Sequence, residues 1–344
     1  MALGVAAALV GFTPAVTAQS ARSGYVLVAN QQSASASLID LRTDSMRFIP
    51  VGVGPHEAIV SSSGRVGVVT VYGQQPPGNE LAIIDRSTGT VKKRISLGEY
   101  VRPHGAMFMP RNESRVVVTS EATQKLVLVN IETGTVEGTV STAAAGSHMV
   151  GVTADGTRAF TSNIFAGSVS ELDLVKRELV KAIPVGPRAE GIAVAPDGST
   201  VWAGSNTNGT VSVIDARSGK TIETLGGFSL PYRLAISADG RTAIVCDPQG
   251  DAIHVVDVAT RRVLWKLYGL GSPRALRSRR MGRRRSLRWP RVRQLGSSTW
   301  SGGSFCGRSG LARRRMGSRS VQANRVRGSG KSKSGMTRCL SRCN

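Results

Sequence analysis

Cysteine is nearly missing from the first 270 residues of this chain. Cys246 stands alone in an apolar segment, Ala243-Ile244-Val245-Cys246, while Cys306, Cys339 and Cys343 fall near the end. A lone cysteine in a strand behaves as a small core hydrophobe, so no disulfide framework is expected in this part of the chain. Beyond the first eighteen residues no apolar run reaches the roughly 20 residues of a membrane span. There is no Gly-x-Ser-x-Gly elbow, hence no serine-hydrolase nucleophile of that type, and no His-x-x-x-His pair. Gly328-Ser329-Gly330-Lys331-Ser332 has Arg325 where the leading glycine of a phosphate loop belongs, and no strand precedes it, which excludes that motif. Carboxylates disappear after Asp257. Residues 1–270 carry 24 Lys+Arg and all 22 Asp+Glu, a balance of +2, and residues 271–344 carry the other 21 basic residues (45 − 24) with no acid. The net charge of +23 is therefore a property of the end of the chain, and nucleic acid is not the expected partner.

What the chain does have is a ruler. Thr153-Ala154-Asp155-Gly156, Ala195-Pro196-Asp197-Gly198 and Ser237-Ala238-Asp239-Gly240 start 42 residues apart (195 − 153 and 237 − 195). Weaker copies precede them at Ser61-Ser62-Ser63-Gly64 and Met109-Pro110-Arg111-Asn112, with an insertion at Gln74–Gly78 stretching the unit between. Each phrase sits between short apolar runs such as Gly191-Ile192-Ala193-Val194 and Val201-Trp202-Ala203-Gly204. A third run ending in Ile-Asp, Val-Asp or Val-Asn follows, and then a turn and a fourth run. Four short strands per unit of about 40 residues indicate the blades of a β-propeller rather than a helical solenoid. Asp155, Asp197 and Asp239 read as turn formers, because Asp-Gly supplies the positive φ that tight hairpins need.

These phrases, with Pro-x-Gly-Ile/Val-Ala-x-x-Pro-Asp-Gly linking one unit to the next, resemble the YVTN-type β-propeller repeat of exported bacterial and archaeal proteins. The resemblance covers residues 23–274 and implies an all-β fold of four-stranded blades, a seven-bladed design with about six blades intact. It implies that Tyr25–Asn30, Ser37–Asp40 and Arg47–Val51 are the second, third and fourth strands of a blade whose inner strand comes from the far end of the chain.

That far end does not continue the repeat. The ruler places the next phrase at residue 279, where the chain reads Arg279-Arg280-Met281-Gly282, and the same letters return at Arg314-Arg315-Met316-Gly317. Written as CGC-CGG-ATG-GNN and read two bases later, Arg-Arg-Met-Gly becomes Pro-Asp-Gly. A shift of one or two nucleotides near Arg274 is therefore expected to have turned the seventh blade and the closing strand into a basic tail, 275–344. That tail has too few large apolar side chains to offset chain entropy and is expected to be disordered. At the other end, residues 1–20 carry an apolar h-region (Leu3, Val5, Leu9, Val10, Phe12) and a small-residue Val16-Thr17-Ala18 step before Gln19. They read as a signal-peptide-like segment, broken by Pro14, with a basic start expected upstream. The expected location is periplasmic or extracellular.

The position seven residues before the turn aspartate starts the innermost strand, at the mouth of a propeller's central channel. It holds, in successive units, His56, His104, His148, Glu190, Tyr232 and Arg274. This column is the candidate ligand-binding rim. His56, His104 and His148 are candidate ligands of Zn or Cu at about 2.0–2.1 Å, with Glu57 or Glu190 as a carboxylate ligand or general base. The opposing reading makes the column polar because a channel mouth is wet, with no cofactor. His254, on an outer strand, reads as structural. The expected function is a binding or scaffold module taking a small polar ligand or a partner protein at the mouth, with no catalytic residue named. The alternative is a metal-dependent enzyme, lactonase-like, or an accessory of a periplasmic quinoprotein system, since similar propellers serve in both settings. Fold analogy alone does not decide between them.

Overall fold

A computed structural model describes residues 24–274. Residues 1–23 and 275–344, on which the expectations of a leader and of a shifted frame rest, lie outside the described residues. The described chain is all-β apart from one 3-10 turn, Gln31–Ser33, and no helix among the described residues is long and apolar enough to cross a membrane.

Among the described residues twenty-three strands form six antiparallel sheets, each with its strands in chain order, in a propeller arrangement. The first sheet has three: β1 (Tyr25–Asn30), β2 (Ser35–Asp40) and β3 (Met46–Pro50). Five sheets have four. They are β4 (Pro55–Val60) to β7 (Thr90–Ser96), β8 (Pro103–Met109) to β11 (Thr135–Ser141), β12 (Ser147–Val152) to β15 (Glu178–Pro184), β16 (Ala189–Val194) to β19 (Lys220–Leu225), and β20 (Arg233–Ile236) to β23 (Val263–Tyr268). The blade reading of the repeat therefore holds, including the three-stranded start at the expected residues.

Burial follows position within each blade. Second strands such as β9 (Asn112–Ser120) and β17 (Thr200–Ser205) are packed on both faces, so they read as continuous apolar or small runs, Val116-Val117-Val118 and Val201-Trp202-Ala203. The outermost strands β15 and β19 keep alternating or mostly exposed side chains. The core is correspondingly divided into five layers, each between successive sheets: Leu27, Ile49 and Val69 between the first and second, and Val68, Leu81 and Val116 between the second and third. Val117, Val152 and Leu172 join the third and fourth, Phe160, Ile192 and Val201 the fourth and fifth, and Trp202, Leu234 and Val245 the fifth and sixth. Among the described residues no such layer joins the sixth sheet to the first. A propeller holds its shape by these face-to-face layers, so the sixth and first sheets each present a face that no described blade covers.

The turn phrases do what their residue types dictate. Gly156, Gly198 and Gly240 take φ of +76°, +71° and +72°, and the preceding aspartates accept hydrogen bonds from Thr153 Oγ1 (2.5 Å), Ser199 N (3.0 Å) and Ser237 Oγ (2.6 Å). The unit at Met109 departs from the pattern. There β8 runs to Met109 and β9 starts at Asn112, so Pro110-Arg111 form the whole loop and Arg111 takes the positive φ, +63°. Proline fixes the first turn position and Arg111 adopts the left-handed conformation that glycine has elsewhere.

Candidate functional site

Each inner strand of the second to fifth sheets carries a register shift where it begins: between Pro55 and Ala58, Pro103 and Ala106, Ser147 and Val150, and Ala189 and Ile192. A bulge places an extra residue on one strand and re-aims side chains, which is why such irregularities gather at functional rims. Here it turns the column residue of each blade toward the centre. The backbone N–H groups freed by the bulge are taken by hydroxyls of the adjacent second strand: Glu57 N donates to Thr70 Oγ1 (2.9 Å), Gly105 N to Thr119 Oγ1 (2.8 Å) and Met149 N to Ser162 Oγ (3.2 Å). Two of these hydroxyls also donate to the next blade, Thr119 to the His148 carbonyl (2.7 Å) and Ser162 to the Glu190 carbonyl (2.6 Å). The rim is thus stitched blade to blade at the column itself. Gly105 is required in this arrangement, because a Cβ there would stand 2.6 Å from the His148 carbonyl oxygen and 2.7 Å from Met149 Cα.

The three column histidines form a stack. Ring centroids of His56 and His104 are 4.0 Å apart, and those of His104 and His148 3.7 Å. A chain of charged hydrogen bonds runs beside it. Tyr72 donates to Glu121 Oε1 (3.0 Å), His148 joins Glu121 through Nδ1 (2.9 Å) and Glu190 through Nε2 (2.8 Å), and Arg233 donates to Glu190 Oε1 and Glu57 Oε1, both at 2.8 Å. Asn206 Nδ2 reaches the other Glu190 oxygen at 3.3 Å. Arg233 and Glu57 are 176 positions apart in sequence, and their bond links the sixth sheet to the second across the side where the first sheet has only three strands.

Four of the six column residues, His56, His104, His148 and Glu190, meet in this cluster. Tyr232 precedes β20 and touches it through Arg233, whose guanidinium lies 4.4 Å from the Tyr232 ring centroid, and Arg274 lies 5.7 Å from the same ring. Arg233, Glu121, Tyr72 and Asn206 were not singled out by the column. Arg233 follows the column position by one, the offset at which Glu57 also stands. Tyr72, Glu121 and Asn206 form a second column, each two residues beyond the hydroxyl or glycine (Thr70, Thr119, Gly204) that faces the bulge. Applying the ruler to the second strand as well as the first would have found them. His254 is buried, with Nε2 3.3 Å from Asp247 Oδ2 and its ring on Phe228, in keeping with a structural role.

The protonation states follow from burial and partners. Burial disfavours charge on Glu57 and Glu190, but Arg233 and His56 beside the first, and His148 and Arg233 beside the second, outweigh it and hold both carboxyls at about 2. Burial works against a charged His148 as well, yet its hydrogen bonds to Glu121 and Glu190 prevail and raise it above the ordinary imidazole value. His104 is driven well below that value by burial first and then by the neighbouring His148, His56 and Arg233, so it is neutral. In the hydrogen-bonded cluster Arg233 faces two carboxylates, Glu57 and Glu190, and His148 bridges two, Glu121 and Glu190.

Opposite pH responses follow for the two buried histidines. The raised His148 contributes stability that is fully present below its unfolded value of 6.5 and is lost as pH rises through the folded value. The lowered His104 acts in reverse: below 6.5 the unfolded chain takes up a proton that the folded ring refuses, so acid costs stability there. Glu57 and Glu190 contribute above their unfolded 4.5, and that contribution is lost as pH falls toward about 2. Histidine-selective NMR should show the His148 ring titrating above 6.5 and the His104 ring still neutral well below it. Identical midpoints for the two would contradict the network.

No protein-family model matches this chain and no curated protein matches it.

Proposed function

We propose that this chain is an exported propeller of the YVTN type, periplasmic or extracellular, acting as a binding or scaffold module whose channel mouth takes a small polar ligand or a partner protein. One observation carries the reading: side chains from five blades converge at the same end of their sheets into a single buried, charged cluster centred on His56, His104, His148, Glu190 and Arg233. Solvation of a wet mouth does not require residues this deep. His104 is 1% exposed and Glu190 3%, and buried polar groups are retained at a cost unless they specify something. The insertion expected from the sequence lies at the same end, where Arg102 N donates to Gly78 O (2.8 Å) and the Arg102 guanidinium stacks on Tyr72, so it forms part of the wall of that mouth.

A screen of amino acids, sugars, small carboxylates and nucleotides against chelator-treated protein should find a class that raises the melting temperature by several degrees, as a ligand at many times its Kd does. The gain should be lost in a His56→Gln, His104→Gln double variant that still melts cooperatively. His148 is left intact in this test because its removal would strand Glu121 and Glu190. Equal shifts in both proteins would sink the rim as the binding site, and recovery of the protein from the cytoplasm alone would sink the export half of the reading. The enzyme reading draws on the grouping of imidazoles with Glu57, which bears on a metal.

A further inference from the structure

We propose that His56, Glu57 and His104 form a site for one divalent first-row transition ion, Zn(II) as the probe, with an open coordination position toward the mouth. One ring nitrogen from each histidine and one Glu57 oxygen lie within 4.8 Å of one another. Around a tetrahedral ion with bonds of about 2.1 Å, donor atoms stand roughly 3.4 Å apart, so small side-chain rotations close the set.

The three-histidine set expected from the column is thereby revised. His148 has both ring nitrogens engaged by carboxylates, Nδ1 by Glu121 and Nε2 by Glu190, and coordination would have to break one of two short charged bonds. His56 Nδ1 and His104 Nδ1 are different. Both are buried and make no hydrogen bond, His56 Nδ1 standing 3.7 Å from Glu57 Oε1, an arrangement that costs free energy unless something else uses the nitrogens. His104 is almost fully buried, and its bulged backbone is held by Thr119, as that of Glu57 is held by Thr70. The donors therefore sit on a preformed frame made of two neighbouring blades. Glu57 Oε1, 3.7 Å from His56 Nδ1, also accepts from Arg233, and a carboxylate oxygen has lone pairs for both an ion and a guanidinium hydrogen bond. Two imidazoles and one carboxylate suit Zn(II), Co(II), Ni(II) or Cu(II) rather than calcium or magnesium, and three protein ligands leave a position for water or a ligand atom.

The inference deepens the binding reading and uses the same rim, but the two fail separately, because the ligand screen is run in chelator and this test uses metal alone. Tag-free full-length protein, stripped of metal, is titrated with Zn(II) by calorimetry and with Co(II) by visible absorption. One equivalent should bind, with intense Co(II) bands of low-symmetry four- or five-coordination. His56→Gln and His104→Gln should each weaken binding by roughly 100-fold or more, at least the loss seen when outer partners of a metal site are removed. The chain has only four histidines, so the wild-type protein supplies a second readout that does not depend on variants folding. Zn(II) should shift the ring resonances of His56 and His104 most, move those of the stacked His148 less, and leave those of His254 in place. No binding at millimolar Zn(II), unchanged affinity in folded variants, or shifts confined to His104 and His148 with Glu121 as the carboxylate would each overturn the assignment.

Discussion

Arg233→Met is expected to destabilise the propeller by about 3–5 kcal/mol, the cost of removing one partner from a buried ion pair. The guanidinium is 11% exposed and donates to two carboxylates at 2.8 Å, one 3% and one 19% exposed. Methionine fills much of the arginine volume, so the loss comes from charge: Glu57 stays buried without the cation that chiefly holds it ionised, and Glu190 keeps only His148. The carboxyls should then titrate well above about 2, and acid stability should change with them. Removing the carboxylates as well is the control. A Glu57→Gln, Glu190→Gln, Arg233→Met variant should recover most of the loss, because it removes the arginine together with both carboxylates it pairs with, while His148 keeps Glu121. Urea unfolding of the three proteins measures this. A loss below about 1 kcal/mol in the single variant would mean that the bond between the second and sixth sheets contributes little to stability.

Trp202→Ala should cost about 3–5 kcal/mol by a different mechanism, the cavity left when a large aromatic is removed from a packed layer. Trp202 is fully buried between the fifth and sixth sheets among Val213, Leu234, Ile236 and Ala243, and its Nε1 donates to Thr200 Oγ1 at 3.3 Å. The sixth sheet has this layer on one face and no described blade on the other, so it has no second layer to hold it once the first is weakened. Hydrogen exchange should therefore accelerate most in β20–β23 and β16–β19, and little in β8–β11. Because β20 carries Arg233, the same variant should loosen the tie to Glu57 and blunt any ligand response at the rim. Uniform acceleration across all six sheets would show instead that the ring unfolds as one unit.

The blade architecture was legible because it is local. Asp-Gly turns, period-two strands and Asp or Asn at the end of each third strand are dictated by φ preference, burial and short hydrogen bonds such as Asp85 Oδ1 with Ser87 N (2.7 Å), and a 42-residue repeat prints them again and again. The inner-strand column was legible for the same reason, since equivalent positions of a repeat face the same centre. The Pro110-Arg111 turn was legible only as a weaker copy of the phrase, because proline and a left-handed arginine stand in for Asp-Gly without sharing its letters.

Which rim residues act together was decided only by closure in three dimensions. The sequence alone determined that His56, His104 and His148 stand at equivalent positions of the repeat and that the body is electrically balanced, and the resemblance of its repeats implied a start with three strands. Tertiary structure decided that His148 is a carboxylate-clamped cation while His56 and His104 keep unpartnered nitrogens, and that Arg233 joins residues 176 positions apart. The physical reason is that charge and ligation depend on distance to groups on other blades. The bulges and blade-to-blade hydroxyl bonds set that distance, and a linear repeat repeats positions, not the partners that face one another across a ring.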